Sequence, residues 1–210
     1  MLTIFEDIKA VYRNDPACRN IEFILYPGFQ AILLHRGIHQ LWRLRIPFIP
    51  RLFSQINRFF TGLEIHPGAK IGKGFFCDHG AGVVIGETSE VGDNCVMFHN
   101  VTLGGTGKHV GKRHPTIGDN VLIGTGAILL GPITVGDNVN IGANSFVYMR
   151  DVPSNSTVAG TPAILTRRDG RHVHEELPFT KHRLDRENGV NGPASLPASE
   201  TFGRRIPVDE

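Results

Sequence analysis

Two stretches of this 210-residue chain concentrate side chains that could move a proton or hold an anion. In Cys77-Asp78-His79-Gly80-Ala81-Gly82 a histidine stands beside a carboxylate among small residues. In Gly104-Gly105-Thr106-Gly107-Lys108-His109-Val110-Gly111-Lys112-Arg113-His114-Pro115, four glycines accompany three cations and two histidines. An imidazole with one nitrogen held by a carboxylate leaves the other free as a general base near neutral pH. A glycine-rich, cationic loop suits an anionic ligand. Taken alone, an isolated histidine is more often a satisfied core or surface residue, and a basic loop is more often a solvated one. What favours chemistry is how the rest of the chain positions both stretches.

From residue 65 an aliphatic or similar apolar residue recurs every six positions: Ile65, Ile71, Cys77, then after a two-residue slip Ile85, Val91, Met97 and Leu103. The period resumes at Ile117, Ile123, Leu129, Val135, Ile141 and Val147, with glycine directly after many of these residues. Six fits neither the 3.6-residue helix nor a hairpin, but it fits a solenoid with one short strand and one corner per hexad. Three hexads then close a coil of 18 residues, stacking Ile117 on Val135 and Ile123 on Ile141. Both chemical stretches are where the period breaks. The first precedes the slip, and fourteen positions separate Leu103 from Ile117 where six would do, so eight residues bulge outward. An extruded loop of this kind is expected to reach towards a neighbouring subunit. His79 and His99 lie two places beyond Cys77 and Met97, which predicts imidazoles one coil apart, roughly 4.8 Å along the stack. Glu64, three positions round a corner from the stacked equivalent of His79, is the candidate carboxylate partner.

Residues 1–62 read instead as about four short helices. Ile4, Ile8 and Val11 share one face, as do Phe29, Ile32, Leu33 and Leu41, and Asp15-Pro16 and Tyr26-Pro27-Gly28 mark turns or helix starts. Residues 63–165 form the solenoid, and 166–210 lose the period and read as a tail, part ordered against a neighbour and part disordered. With 22 Lys and Arg against 20 Asp and Glu, the formal charge of +2 demands neither nucleic acid nor membrane. Three cysteines without a CxxC pair suggest reduced thiols in a cytoplasm. The start lacks the pattern of a signal peptide, and the apolar segment 43–60 carries four arginines and two prolines, better suited to a packed helical hairpin than to a membrane span.

The strings Glu64-Ile65-His66-Pro67-Gly68-Ala69-Lys70-Ile71-Gly72, Asp78-His79-Gly80-Ala81-Gly82-Val83-Val84-Ile85-Gly86-Glu87-Thr88, and Val101-Thr102-Leu103-Gly104-Gly105-Thr106-Gly107-Lys108 followed by Arg113-His114-Pro115 resemble serine acetyltransferases. The likeness covers roughly residues 5–165. It implies a left-handed parallel β-helix preceded by helices, with active sites between the subunits of a homotrimer. It also implies acetyl transfer from acetyl-coenzyme A to the hydroxyl of L-serine, the first step towards cysteine. His79 takes the place of the family's catalytic histidine and Glu64 that of its paired acid, where many members have aspartate. Asp15 and Asp78 fall on the substrate-binding acids, and Arg113 and His114 on the carboxylate-binding pair. Contacts to coenzyme A fall on Gly105, Gly124, Thr125 and Ala143, and no metal is expected.

Each implied role has a physical basis. An alcohol needs a positioned base, a zwitterion needs acids at its ammonium and a cationic fork at its carboxylate, and the Gly104-Gly105 turn offers backbone donors for a developing oxyanion. Relatives often carry glutamine where this chain has His99. The helical part is shorter than in relatives that pair two trimers, so the resemblance leaves trimer and dimer of trimers open. The final Val208-Asp209-Glu210, without a terminal isoleucine, argues against docking into cysteine synthase. Two alternatives stand beside this expectation: an acetyltransferase for homoserine, a sugar or an antibiotic, and a zinc-dependent carbonic anhydrase using His79, His99, His109 and His114.

Overall fold

A computed structural model describes residues 2–107 and 110–180, the side chain of Leu2 excepted. Helices α1 (Leu2–Asn14), α2 (Pro27–Arg43) and α3 (Ile49–Thr61), with a 3₁₀ turn at Ile21–Leu25, precede a parallel β-helix. The boundaries follow local chemistry. Pro27 opens α2, and Gly62 closes α3 in the left-handed conformation, with its N–H on the Arg58 carbonyl at 2.8 Å.

The hexad residues point inward and stack in three ladders. The first face runs Ile65, Ile85, Leu103, Leu129, Val147. The second runs Ile71, Val91, Ile117, Val135, and the third Cys77, Met97, Ile123, Ile141, Val158. Pairing 18 residues apart, as predicted for Ile117 with Val135 and Ile123 with Ile141, holds where the period is unbroken. The slip stretches it to 20 for Cys77 with Met97, and the bulge to 26 for Val91 with Ile117. Corners between the second and third faces repeat Gly-Asp-Asn at 92–94, 118–120 and 136–138. There Asn94, Asn120 and Asn138 take positive φ, which asparagine tolerates, and each aspartate caps an N–H of the coil before it, as Asp119 does for Asp93 at 2.7 Å.

The helices cover the third face of the first coil. Ala10, Val11, Cys18, Phe23 and Phe29 pack with Phe76. A Cβ on Gly28 would stand 2.0 Å from the Cys77 carbonyl, so only glycine lets α2 start this close to the coil. Buried Asp7 accepts both arms of Arg36 at 3.1 and 3.0 Å and the Phe75 N–H at 3.1 Å, tying α1 and α2 to the solenoid. The segment 43–60, read as a helical hairpin, holds one helix: α3 folds back on α2, where Asn57 donates to the Ala31 carbonyl at 3.0 Å. Leu33 departs from its predicted buried face and is exposed.

Residues 166–180 pair within their own chain. Strands Ile164–Arg168 and Arg171–Glu176 form an antiparallel hairpin that continues the third face of this chain's own last coil. The remainder, 181–210, lies outside the described residues. Among those described, no helix is long and apolar enough to cross a membrane. All three cysteines are free and buried, and burial pushes the Cys77 thiol up to about 12 and Cys95 to about 11.

Candidate active site

The corner between the third and first faces carries one chemical half. His79, His99, Thr125 and Ala143 each stand two residues beyond the mutually paired Cys77, Met97, Ile123 and Ile141, forming a column with one residue per coil. The two-residue slip falls in the first of these turns and gives His79 a φ of +58°. Its side chain is 73 % exposed, its Nε2 lies 3.7 Å from Asp78 Oδ2, and its ring meets that of His99 edge-on with centroids 5.9 Å apart. The predicted one-coil spacing of the two histidines is thus realised. Asp15, delivered by the turn after α1, has its carboxylate fixed by the Tyr26 hydroxyl at 2.7 Å and the Ala17 N–H at 2.8 Å. Those bonds, with the charge of nearby His79 a lesser contribution, hold it below the usual carboxylate range. Gly124 belongs to the same corner, where a Cβ would meet the Ala143 nitrogen at 2.7 Å, so no side chain fits at that position.

Glu64 is engaged elsewhere within this chain. Its carboxylate pairs with Arg58 at 2.8 Å and Arg51 at 3.3 Å, both on α3, and among the described residues no hydrogen bond or ion pair joins it to His79. Two residues, Gly62 and Leu63, separate α3 from Glu64, so the helix must fold back over the first coil and bring its arginines with it. Counting coil positions took no account of that helix.

The other half sits across the first face, on the corner leading to the second. Here the returning arm of the bulge is bound to its own coil. The Thr88 hydroxyl accepts the N–H groups of Arg113 at 3.0 Å and His114 at 3.1 Å, and Lys112 donates to the Thr88 carbonyl at 2.6 Å. The Arg113 guanidinium is paired with Glu87 and holds that carboxyl below its ordinary range. His114 Nδ1 receives the Thr88 N–H at 3.2 Å and hydroxyl at 2.9 Å, which assigns the ring proton to Nε2. Burial, then the charge of Arg113, lowers His114 to about 4. A Cβ on Gly86 would lie 2.0 Å from the His114 ring, and one on Gly105 3.2 Å from its Nε2. Glu87 and Thr88, which fix this corner, carried no role in the sequence reading, although both close the string that begins at Asp78. Lys112 and Arg113 are committed to their own corner rather than reaching outward, and Lys108 and His109 lie outside the described residues.

Each chain therefore presents an exposed imidazole with two acids on one corner and a hydrogen-donating arginine and histidine on another. Among the described residues, no group of three or more His, Cys, Asp or Glu could hold a metal ion. Residues 114–148 match the family model described as bacterial transferase hexapeptide (six repeats). Over 190 residues the chain is 52 % identical to the serine acetyltransferase of Synechococcus elongatus, covering 88 % of this chain and 78 % of that one. Two solved structures are similar. One is the Neisseria gonorrhoeae serine acetyltransferase in complex with serine, with TM-score 0.73 and 41 % identity, over 77 % of this chain and 67 % of that one. The other is the Brucella abortus serine acetyltransferase in complex with coenzyme A, with TM-score 0.75 and 41 % identity, over 83 % of this chain and 68 % of that one. The chain belongs to the serine acetyltransferase family.

Proposed function

We propose that this chain transfers acetyl from acetyl-coenzyme A directly to the hydroxyl of L-serine, with His79 as general base. The observation that carries this is the 3.7 Å between His79 Nε2 and Asp78 Oδ2. Serine is a 1,2-amino alcohol. An ammonium seated on Asp78, with Asp15 opposite, brings a hydroxyl two carbons away to the imidazole. His79 takes the hydroxyl proton as the serine oxygen bonds to the acetyl carbon, then returns it to the departing sulfur. No covalent enzyme adduct is needed. Asp78 is the acid nearest the ring. Glu64 keeps its place as the family's paired acid and must exchange Arg58 for the imidazole to act. Arg113 and the Nε2–H of His114 hold the substrate carboxylate. The coenzyme lies along the Gly124, Thr125 and Ala143 groove, with Gly105 at the neighbouring corner. The product is the activated serine of cysteine formation, made in a reducing cytoplasm that suits three free thiols.

The two halves lie at opposite edges of the first face, so the complete site is shared by two protomers of a homotrimer. Outward residues support that arrangement. Ile128, Phe146 and Tyr148 give the first face an apolar exterior, whereas the second shows Lys70, Glu90, Thr116 and Thr134.

Release of free coenzyme A, measured with serine, homoserine and threonine as acceptors, tests the reaction. His79→Ala is expected to lower turnover on serine by roughly 10² or more. Near-normal turnover in that variant refutes the base. Homoserine carries one more methylene, so a preference for serine of about 10-fold or more is expected.

A further inference from the structure

We propose that His99 is a positioning residue for the reaction: it holds the His79 ring in the orientation from which that base accepts the serine proton. This rests on His79 being the base.

His79 lacks restraint of its own. Its side chain is 73 % exposed, its backbone is in the left-handed region, and its nearest acid, at 3.7 Å, is beyond hydrogen-bond distance. An imidazole so placed has several rotamers available, and a base is effective only when its lone pair is aimed at the proton. His99 is the ring against which His79 rests, with planes at 78° and centroids 5.9 Å apart, the edge-to-face contact that aromatic rings favour.

His99 is itself anchored from the far side. Thr125 Oγ lies 2.8 Å from its Nε2 and 3.2 Å from its carbonyl oxygen. The single hydroxyl proton serves the carbonyl while Nε2–H donates to the oxygen, so one threonine fixes both ring and backbone. The Nδ1 atom is buried without a partner among the described residues. In the Nε2–H tautomer that atom is a bare lone pair, less costly to bury than an unmatched N–H. The column order then acquires meaning. His79 lies at the acceptor, Thr125 and Ala143 line the proposed coenzyme groove, and His99 is the rung between them. It transmits the position of the coil that bears the acyl donor to the ring that activates the acceptor.

The test is a double-mutant cycle on the full chain, with kcat and KM measured for serine and for acetyl-coenzyme A. His99→Ala is expected to lower kcat about tenfold with both KM values within about twofold. His99→Gln, which keeps a donor towards Thr125 but has no ring to set against His79, is expected to recover little of that loss, and full recovery overturns the ring contact as the positioning element. In the His79→Ala background, His99→Ala is expected to change the residual rate less than about twofold, because a positioning residue acts through the group it positions. A further tenfold loss in that background overturns the proposal, since His99 would then act on substrate directly. Normal kcat in His99→Ala, beside a collapsed rate in His79→Ala, overturns the positioning role alone. Normal turnover in His79→Ala overturns the base and this inference together. If His99→Ala fails to fold, His99→Phe keeps the ring contact and loses the Thr125 bond. A several-fold fall in kcat for His99→Phe, with unchanged KM, supports the role, and wild-type kcat overturns it.

Discussion

His79 stands in a turn lengthened by two residues. Without the slip, the turn after Cys77 would match those after Met97 and Ile123, and its histidine would not take positive φ ahead of Gly80. The insertion sets the histidine on a corner with local backbone strain. Glu64 presents the opposite situation, an acid already satisfied by two arginines. If that carboxylate turns from Arg58 to the imidazole during turnover, Glu64→Gln is expected to lower kcat about tenfold while leaving KM for serine little changed, because only the stabilisation of the charged ring is lost. Unchanged kcat in that variant would leave Asp78 as the only acid serving His79. The placement of His79 beside Asp78, and of Arg113 beside His114 on a second corner, was legible because the motif strings fix which residues stand next to each break in the period. The partner of Glu64 was not, because it depends on how a helix separated from it by two residues folds back, and no periodic rule governs that. Thr88 was missed for a similar reason: a hydroxyl that binds only its own chain's backbone and a neighbouring ring looks unexceptional in sequence.

Among the elements, the solenoid was the most legible and the terminal hairpin the least. Inward positions answer to burial alone, so their period survives both a slip and a bulge. The hairpin at Ile164–Arg168 and Arg171–Glu176 reads Ile-Leu-Thr-Arg-Arg and Arg-His-Val-His-Glu-Glu, mostly polar because it extends an edge beyond the last complete coil. The joints between elements make a separate prediction. His35 on α2 lies 3.1 Å from the Ala69 carbonyl, and burial, its largest influence, lowers it to about 3, while His114 on the loop arm is lowered to about 4. Both folded values lie below the unfolded value near 6.5, so the unfolded chain binds more protons as the pH falls. The stability these groups contribute is complete above about 6.5 and is lost on descending towards 4. Thermal melts between pH 7.5 and 4.5 are expected to show a falling midpoint, with a shallower slope in His35→Gln. Parallel slopes would show that α2 does not carry its share of the acid sensitivity.

At the scale of the whole molecule, the three faces have different exteriors and therefore different neighbours. The third face of the first coil is capped by helices, the second is polar and includes the Lys70–Glu90 pair at 2.8 Å, and the first shows Ile128, Phe146 and Tyr148. Ile128→Asp places a charge at the edge of that apolar patch, between Thr102 and Phe146 in register. Sedimentation is expected to show a shift from trimer to monomer. Turnover should fall at least tenfold in parallel, because in the proposed trimer each protomer holds half a site. Full activity in a monomeric variant would place the whole reaction within one chain.

The column that ends at Ala143 also works as a ruler. Its graduations are set by backbone pairing, about 4.8 Å apiece, and no side chain can alter them. Adding or removing one complete turn between His79 and Thr125 would shift the proposed coenzyme berth by a whole graduation while leaving both local environments intact. Reach between the two reactants is thus counted in turns, and only the residue standing at each mark is left for substitution to tune.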